Sequence, residues 1–171
     1  MEGDLIALQF SYDEASGHLV WKTRPEVDGI TRRWNEVHAG KVAGSKNSEG
    51  YVQIKIKGRT YKAHRIVWLI AHGEWPTLQV DHINGDRSDN RISNLRLATH
   101  NQNQWNSKLR RDNKCGVKGV TKSSNGTYMV RITKNNVQRV VGHYSTVEEA
   151  RAAYNSASNG LFGEFSSGGS E

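Results

Sequence analysis

Residues 51–57 alternate strictly between apolar and polar side chains. One face holds Val52, Ile54 and Ile56, and the other holds Gln53, Lys55 and Lys57. Strict alternation over this length is typical of a strand with one buried face. Lys57 and Gly58 then turn the chain into a second strand over 59–63, so the pattern predicts a β-hairpin with a basic outer face.

The next segment changes to helical spacing. Apolar residues at 66, 67, 69 and 70 predict a helix over 64–71, which ends at Gly73 and is followed by Pro76. Upstream, residues 18–22 predict a strand. The polar segment 24–47 predicts an irregular stretch of chain with Trp34 as its anchor.

Residues 79–108 predict the order strand, loop, strand, helix. The strands cover 79–83 and 95–98, and a polar loop that begins Asn84-Gly85-Asp86 lies between them. Thr99 starts the helix, with Gln102 three residues later as its capping-box partner.

The last third of the chain predicts a second unit of strands and one helix. The strands cover 116–121, 127–133 and 139–144. Ser145 and Glu148 predict the capping box of a helix that ends at Gly160. The apolar stripe of that helix consists of Ala150, Ala153, Tyr154 and Ala157. We therefore expect a three-stranded antiparallel sheet packed on one helix.

Charge and composition narrow the choice of partner. The 171-residue chain carries a net charge of +7, and its Lys and Arg residues are spread along the sequence. A folded surface of this kind attracts polyanions, so we expect a nucleic acid partner. The single cysteine, Cys115, cannot form an internal disulfide, and the longest apolar run, 66–71, is too short for a membrane span. We expect a cytosolic protein without a signal peptide.

Asp81, His82, Asn94 and Asn103 supply the candidate chemistry. An imidazole that is neutral near pH 7 is a suitable base for activating water, which is the role predicted for His82. Mg²⁺ prefers a few oxygen ligands, so the Asp81 carboxylate and the Asn103 amide are the predicted metal ligands. Asn94 is the predicted brace of the intervening loop.

The same residues allow other interpretations. An Asp next to a His is most often an ordinary surface pair, and only the joint spacing in a basic chain favours chemistry. Zinc would need three or four convergent ligands, and Asp81, His82 and His100 make a poor set. His64 precedes a helix, where packing is favoured over a phosphate contact, and His100 has no assigned role.

The same stretch carries a family resemblance. The matching residues are His64-Arg65, Asp81-His82, Gly85-Asp86, Asp89-Asn90, Asn94-Leu95-Arg96, Ala98-Thr99 and Asn103. Residues 64–103 resemble the HNH (His-Asn-His) nucleases, most of all the phage and intron-encoded homing branch, with Asn103 in place of the final His. The resemblance implies a ββα-metal (His-Me finger) fold and cleavage with one Mg²⁺ or Mn²⁺ ion. It assigns the base to His82, the metal ligands to Asp81 and Asn103, and the brace to Asn94. We also predict that Arg96 contacts DNA.

A second resemblance covers residues 115–165. The matching segments are 116–120, 126–128, 131–132, 142–144, 148–154 and 163–165. They resemble the ethylene-response-factor (APETALA-two) DNA-binding domain, in which the uncovered face of the sheet enters the major groove. The residues predicted on that face are Lys118, Lys122, Met129, Arg131, Thr133 and Gln138, and all but Met129 are predicted DNA contacts.

Together these features predict a monomeric α+β endonuclease that cuts double-stranded DNA, in the cytoplasm of a bacterial host if it is phage-encoded. The predicted parts are a nuclease domain (1–108), a basic linker (109–114), a DNA-binding domain (115–165) and a disordered tail (166–171). A DNA-binding regulator with an inert nuclease site is the main alternative. An RNA-binding protein is less favoured, because the chain lacks exposed aromatic pairs for stacking bases.

Overall fold

The structure, a computed structural model, describes residues 2–107, 109 and 112–166. The chain forms two compact units, one ending at Leu97 and the other beginning at Ala98. Both units mix helices and strands, which confirms the predicted α+β class. Every helix within the described ranges is too short or too polar to cross a lipid bilayer.

The first unit combines three helices with three small sheets. Its elements are α1 (Glu2–Ala7), β1 (Phe10–Asp13), β2 (His18–Trp21), α2 (Gly29–His38), β3 (Ser45–Lys46), β4 (Val52–Ile56), β5 (Arg59–Lys62), α3 (Ala63–His72), β6 (Gln79–His82), a 3₁₀ turn (Ile92–Asn94) and β7 (Leu95–Ala98). β1 pairs with β2, β3-β4-β5 form an antiparallel sheet, and β6 pairs with β7.

The core of the first unit forms where α3 packs on the β4-β5 hairpin. Ile54 of β4 and Ile66 and Val67 of α3 have at most 1% of their surface exposed. Each such side chain contributes roughly 1.5–3 kcal/mol by leaving water. The hairpin and the end of α3 at Gly73, whose φ is 78°, confirm the predicted elements. Because α3 also packs against β6, this core positions the strand that carries Asp81 and His82.

α2 lies in the segment that we predicted to be irregular, so that prediction was wrong. The Asp28 side chain accepts a hydrogen bond from the Thr31 backbone N–H at 2.8 Å, and the Thr31 side chain completes a capping box. This spacing was the overlooked signal, because an Asp three residues ahead of a Thr can satisfy the first backbone donors of a helix. Trp34 does act as an anchor, with its ring 5.3 Å from that of Trp21.

The second unit packs α5 on a three-stranded sheet. Its elements are α4 (His100–Trp105), β8 (Val120–Lys122), β9 (Tyr128–Lys134), β10 (Val137–Tyr144), α5 (Val147–Phe162) and a 3₁₀ turn (Gly163–Phe165). The strands are antiparallel in the order β10-β9-β8. Val130 and Ile132 of β9 and Ala150 and Tyr154 of α5 are buried between sheet and helix, as the alternation and the alanine stripe predict.

α5 begins and ends later than predicted. Thr146, rather than Ser145, is the N-cap, because its hydroxyl accepts from the Glu149 N–H at 3.2 Å and the Glu149 carboxylate accepts from the Thr146 N–H. Gly160 lies within the helix, and Gly163 follows its last residue. The helix continues because Phe162 still buries its ring in the core.

α4 packs within the second unit. The Trp105 ring stacks on that of Phe162 with 4.5 Å between centroids, and Ala98 is fully buried in the second core. Thr99 and Gln102 form the predicted capping box, but the helix ends at Trp105 rather than near 108. The second unit begins at Ala98, ahead of the predicted linker at 109–114, and the predicted domain bounds stay a prediction. The predicted tail covers residues 166–171, and all of it except Ser166 lies outside the described residues.

Candidate active site

Asp81 and His82 are consecutive residues of β6, and both are buried. Because successive strand residues point to opposite faces, their side chains enter different surroundings. Asp81 meets Arg96 of β7, whereas His82 meets the rings of Tyr51 and His64. The strand thus carries the predicted base and one predicted metal ligand in two separate, buried environments.

The Asp81 carboxylate forms a buried salt bridge with Arg96. Oδ2 of Asp81 lies 2.9 Å from Nε of Arg96 and 2.9 Å from its Nη2. The pairing of β6 with β7 brings these two residues together. We predicted a DNA contact for Arg96. The structure places its guanidinium on Asp81, and the DNA contact stays a prediction. The ion pair could not be foreseen, since it depends on the register of two short strands.

His82 is held by the side chain of Asn90. His82 Nε2 lies 3.1 Å from Asn90 Oδ1. With that oxygen as the acceptor, Nε2 carries the ring proton and Nδ1 carries the lone pair. Burial lowers the pKa of His82, although the bond to Asn90 and the charge of Asp81 oppose the shift, so the ring is neutral at pH 7. A neutral imidazole in one tautomer can accept a proton from water.

Asn90 is a site residue to which sequence reasoning gave no role. It stands in the Asp89-Asn90 pair of the motif, eight residues after His82, and only 2% of its surface is exposed. The available signal was its position in the motif, but neither spacing nor composition shows which ring a loop amide will meet.

Asn94 ties together the loop that follows β6. Its Oδ1 accepts from the Asn84 N–H at 3.0 Å. Its Nδ2 donates to Asn84 Oδ1 at 3.0 Å and to the Asp89 carbonyl at 2.9 Å. These are the contacts that a loop brace makes, whereas the effect of Asn94 on catalysis stays a prediction. Asp89 also accepts from the Arg91 guanidinium, and this bond lowers the pKa of Asp89 to about 2.

Three rings form a cluster on the His82 side of β6. The His64 ring lies edge-on to that of His82 with 5.0 Å between centroids, and the Tyr51 ring lies 5.4 Å from His64 and 6.1 Å from His82. Burial, and then the charge of His82, lower the pKa of His64 to about 3. His64 is buried, and its Nδ1 has no hydrogen-bond partner among the described residues. His64 thus packs as expected, but against the candidate base.

Asn103 and His100 lie on α4, in the second unit. Asn103 is half-buried, and its partnership with Asp81 around a metal ion stays a prediction. His100 lies in the first turn of the helix, where its Nε2 is 2.8 Å from Nε2 of Gln104.

The predicted DNA contacts of the second unit do not share one face. Arg131 and Thr133 alternate with buried Val130 and Ile132, and Gln138 lies opposite Thr133 in the register. These three, Arg131, Thr133 and Gln138, form what we call the outer sheet face. Lys122 lies opposite Tyr128 on the other face, with its ammonium 5.7 Å from the centroid of that ring.

Lys118 is half-buried and contacts the end of α4 in the second unit. Its ammonium donates to the carbonyl of Trp105, the last residue of α4, at 2.7 Å and to that of Ser107 at 2.9 Å. A positive charge near the C-terminus of a helix is favourable. Burial lowers the pKa of Lys118 to about 8, so it remains charged at pH 7. Our placement of Lys118 and Lys122 on the outer sheet face was therefore wrong, and DNA binding by the predicted residues stays a prediction.

Comparison with known proteins bears on the segment that holds most of this site. Residues 61–105 match the family model described as HNH endonuclease. The chain is 40% identical over 104 residues to the uncharacterized HNH endonuclease L560 of Acanthamoeba polyphaga mimivirus, which covers 60% of this chain and 54% of that protein. These findings support the HNH endonuclease family.

A second relative matches a shorter stretch. The chain is 40% identical over 65 residues to Protein 3.8 of Escherichia phage T7, which covers 36% of this chain and 54% of that protein. The chain spans about half the length of the curated relatives it matches. No solved structure matches it. The ethylene-response-factor character of the second unit stays a prediction.

The chemistry of the predicted donors suits the divalent metal that HNH nucleases generally need. No group of three or more His, Cys, Asp or Glu side chains converges within residues 2–107, 109 and 112–166. A zinc ion, which takes three or four such ligands, is therefore a poor fit to that part of the chain. A buried carboxylate from Asp81 and an amide oxygen from Asn103 are ligands of the kind that Mg²⁺ accepts while keeping several waters.

Proposed function

We propose that this protein is a metal-dependent endonuclease that hydrolyses phosphodiester bonds in double-stranded DNA. The observation that carries the proposal is the buried His82 ring, held by Asn90 on the strand that also carries Asp81, and burial lowers the pKa of that ring. The HNH match over residues 61–105 supports DNA as the substrate. The net charge of +7 supports a polyanionic partner.

In the proposed reaction, His82 takes a proton from the attacking water. Asn90 keeps Nε2 protonated, so Nδ1 receives that proton. Asn94 holds the loop that carries Asn90, and thereby the orientation of the imidazole. Asp81 and Asn103 would hold one Mg²⁺ or Mn²⁺ ion. When bound, the ion supplies positive charge that stabilises the negative charge developing on the phosphate and the leaving oxygen.

The decisive experiment compares the wild type with His82→Ala on supercoiled plasmid, with Mg²⁺, with Mn²⁺ and with EDTA. We expect the wild type to cut only with metal and to leave 5′-phosphate ends. Loss of the base should lower the cutting rate about 10²–10⁴-fold, while both proteins still shift the DNA in a gel. A wild type that binds DNA but cuts it in no divalent metal contradicts the endonuclease.

The second candidate is a DNA-binding regulator with an inert nuclease site. The Asp81–Arg96 salt bridge favours it, because a cation of the protein lies on the carboxylate that is predicted to bind the metal. The plasmid experiment separates the two candidates, since the regulator shifts DNA without cutting it.

We further propose that the nuclease is of the homing type and acts as a monomer. The proposal rests on the resemblance of residues 64–103 to the phage and intron-encoded branch. End-sequencing of cut sites on long DNA tests it, because a homing enzyme cuts at few positions whereas a restriction or packaging enzyme cuts at many. Light scattering of the protein in solution tests the monomer.

A further inference from the structure

Two positively charged side chains adjoin the ring cluster of His82. The Lys62 ammonium lies 4.0 Å from the centroid of the Tyr51 ring, and the Arg87 guanidinium carbon lies 4.8 Å from it. The same ring contacts those of His64 and His82. Both charges are therefore one aromatic ring away from the candidate base.

Neither of these two charges forms a salt bridge within the described residues. Arg96 and Arg91, which also lie near the site, pair with Asp81 and Asp89. By contrast, neither Lys62 nor Arg87 lies within salt-bridge distance of a carboxylate in the described part of the chain. An aromatic face attracts a cation through its quadrupole and leaves the net charge intact.

Arg87 has a second contact that defines its position. Its Nη1 donates to the backbone carbonyl of Glu49 at 3.1 Å, so the guanidinium bridges the loop after β6 and the turn before β4. Lys62 is half-buried at the end of β5, and Arg87 is exposed. Three separate elements thus bring two charges to one ring, an arrangement that neither spacing nor composition predicts.

We propose that Lys62 and Arg87, held against Tyr51, bind backbone phosphates of the DNA strand that passes His82. The proposal rests on the proposed function and names the residues that bring the strand to the base. An arginine can bind a phosphate through two parallel N–H donors, and a lysine binds it as a point charge. A carboxylate in place of the tyrosine would hold the same cations but would repel the phosphate. Tyr51 is a positioning residue, and Lys62 and Arg87 are the binding residues.

The buried Nδ1 of His64 is an unsatisfied polar atom beside the same ring. A buried polar atom without a partner needs a water, an ion or a ligand to satisfy it. This nitrogen has no partner among the described residues and belongs to the ring cluster that Tyr51 shares.

The first test measures duplex DNA binding at several salt concentrations, in the His82→Ala background so that the DNA stays intact. The double variant Lys62→Gln/Arg87→Gln loses two charges. Its matched control, Arg33→Gln/Lys41→Gln, loses two exposed charges from the same unit. We expect the slope of log affinity against log salt to fall by about 1.8 in the double variant, because each phosphate contact contributes about 0.9. The slope of the control variant should fall by less than half of that amount.

The second test separates the ring from the charges. Tyr51→Leu removes the aromatic face, whereas Tyr51→Phe keeps it. We expect Tyr51→Leu to lose affinity and salt slope nearly as much as the double variant, and Tyr51→Phe to retain both. Thermal unfolding of each variant checks that it is folded. A purely structural role for Tyr51 would lower the unfolding temperature and leave the salt slope of the folded protein unchanged.

The third test uses cleavage by proteins that retain His82. The double variant should raise KM at least tenfold and change kcat less than threefold. An unchanged salt slope in the double variant, an equal loss in the control, or a wild type that does not bind duplex DNA would overturn the inference. A wild type that binds with the expected slopes but never cuts would overturn the endonuclease alone.

Discussion

The candidate active site of the first unit and the outer sheet face of the second unit place their polar side chains in opposite surroundings. In the first, Asp81 and His82 are buried, and each meets a specific partner, Arg96 or Asn90. In the second, the outer sheet face presents its polar side chains away from the core. A buried polar group that loses its partner costs about 1–3 kcal/mol, whereas an exposed one keeps its water. Substitutions of the buried site residues should therefore change stability and rate, whereas substitutions on the outer sheet face should change affinity.

Arg96→Gln should cause the largest loss of stability among the substitutions that test this comparison. It removes the partner of a buried carboxylate and leaves Asp81 charged without a counter-charge. Breaking a buried ion pair from one side costs about 3–5 kcal/mol, which chemical denaturation measures. The control is Arg91→Gln, which removes the more exposed partner of Asp89 and should change stability much less. Equal losses in the two variants would show that the Asp81 pair is not buried in solution.

Asn94→Ala should cause the second-largest loss of stability. The substitution removes three hydrogen bonds that close the loop after β6, so we expect a loss of about 1–3 kcal/mol in the free energy of unfolding. The cutting rate should fall about 10–100-fold, as for residues that orient a catalytic group. Ser93→Ala, in the same 3₁₀ turn but exposed, is the control. Normal cutting by Asn94→Ala would remove Asn94 from the site.

Lys118→Met tests whether the effect of a substitution depends on the unit in which the residue lies or on the burial of its side chain. Lys118 is a cation of the second unit, yet its ammonium binds backbone carbonyls. We expect a loss of roughly 1–2 kcal/mol in stability, because the carbonyls lose their donor. The salt slope of DNA binding should stay as in the wild type. A lower slope with unchanged stability would return Lys118 to the set of DNA contacts.

His64 should make the first unit sensitive to acid. Its pKa is about 3 in the folded protein and near 6.5 in the unfolded chain, so only the unfolded chain takes up a proton between these values. The contribution of neutral His64 to the free energy of unfolding is therefore complete well above pH 6.5. It is lost progressively as the pH falls from about 6.5 towards 3. The wild type should lose about 1 kcal/mol more than His64→Phe between pH 6.5 and 5.5. Equal losses of unfolding free energy in the two proteins between pH 6.5 and 5.5 would show that His64 is not buried as a neutral ring.

The elements that could be predicted from the sequence are those that nearby residues determine. The Thr99–Gln102 capping box and the end of α3 at Gly73 depend on residues within four positions. Asp28 and Thr31 are equally local, and α2 was missed because its polar composition was given more weight than its cap. Strand alternation correctly separated the buried and outward positions of β9.

For the site, the sequence predicted residue types and roles, which stay predictions, but it could not predict the contacts of those residues. The motif indicated that Asp81 and His82 are the chemical groups, but Arg96 reaches Asp81 only because β6 pairs with β7. Asn90 reaches His82 only because the loop folds back. These contacts depend on strand register and loop path, which no local pattern encodes. The same limit explains why Lys118 was expected on a DNA-binding face.

Arg131→Gln should have the smallest effect and tests the outer sheet face directly. One lost phosphate contact lowers the salt slope by about 0.9 and leaves the stability nearly unchanged. Arg139→Gln is a matched control, because it removes the same charge from the neighbouring strand but lies opposite Ile132, on the other face. A loss confined to Arg131→Gln places DNA on the outer sheet face. Equal losses would mean that the second unit attracts DNA through net charge alone, without a preferred face.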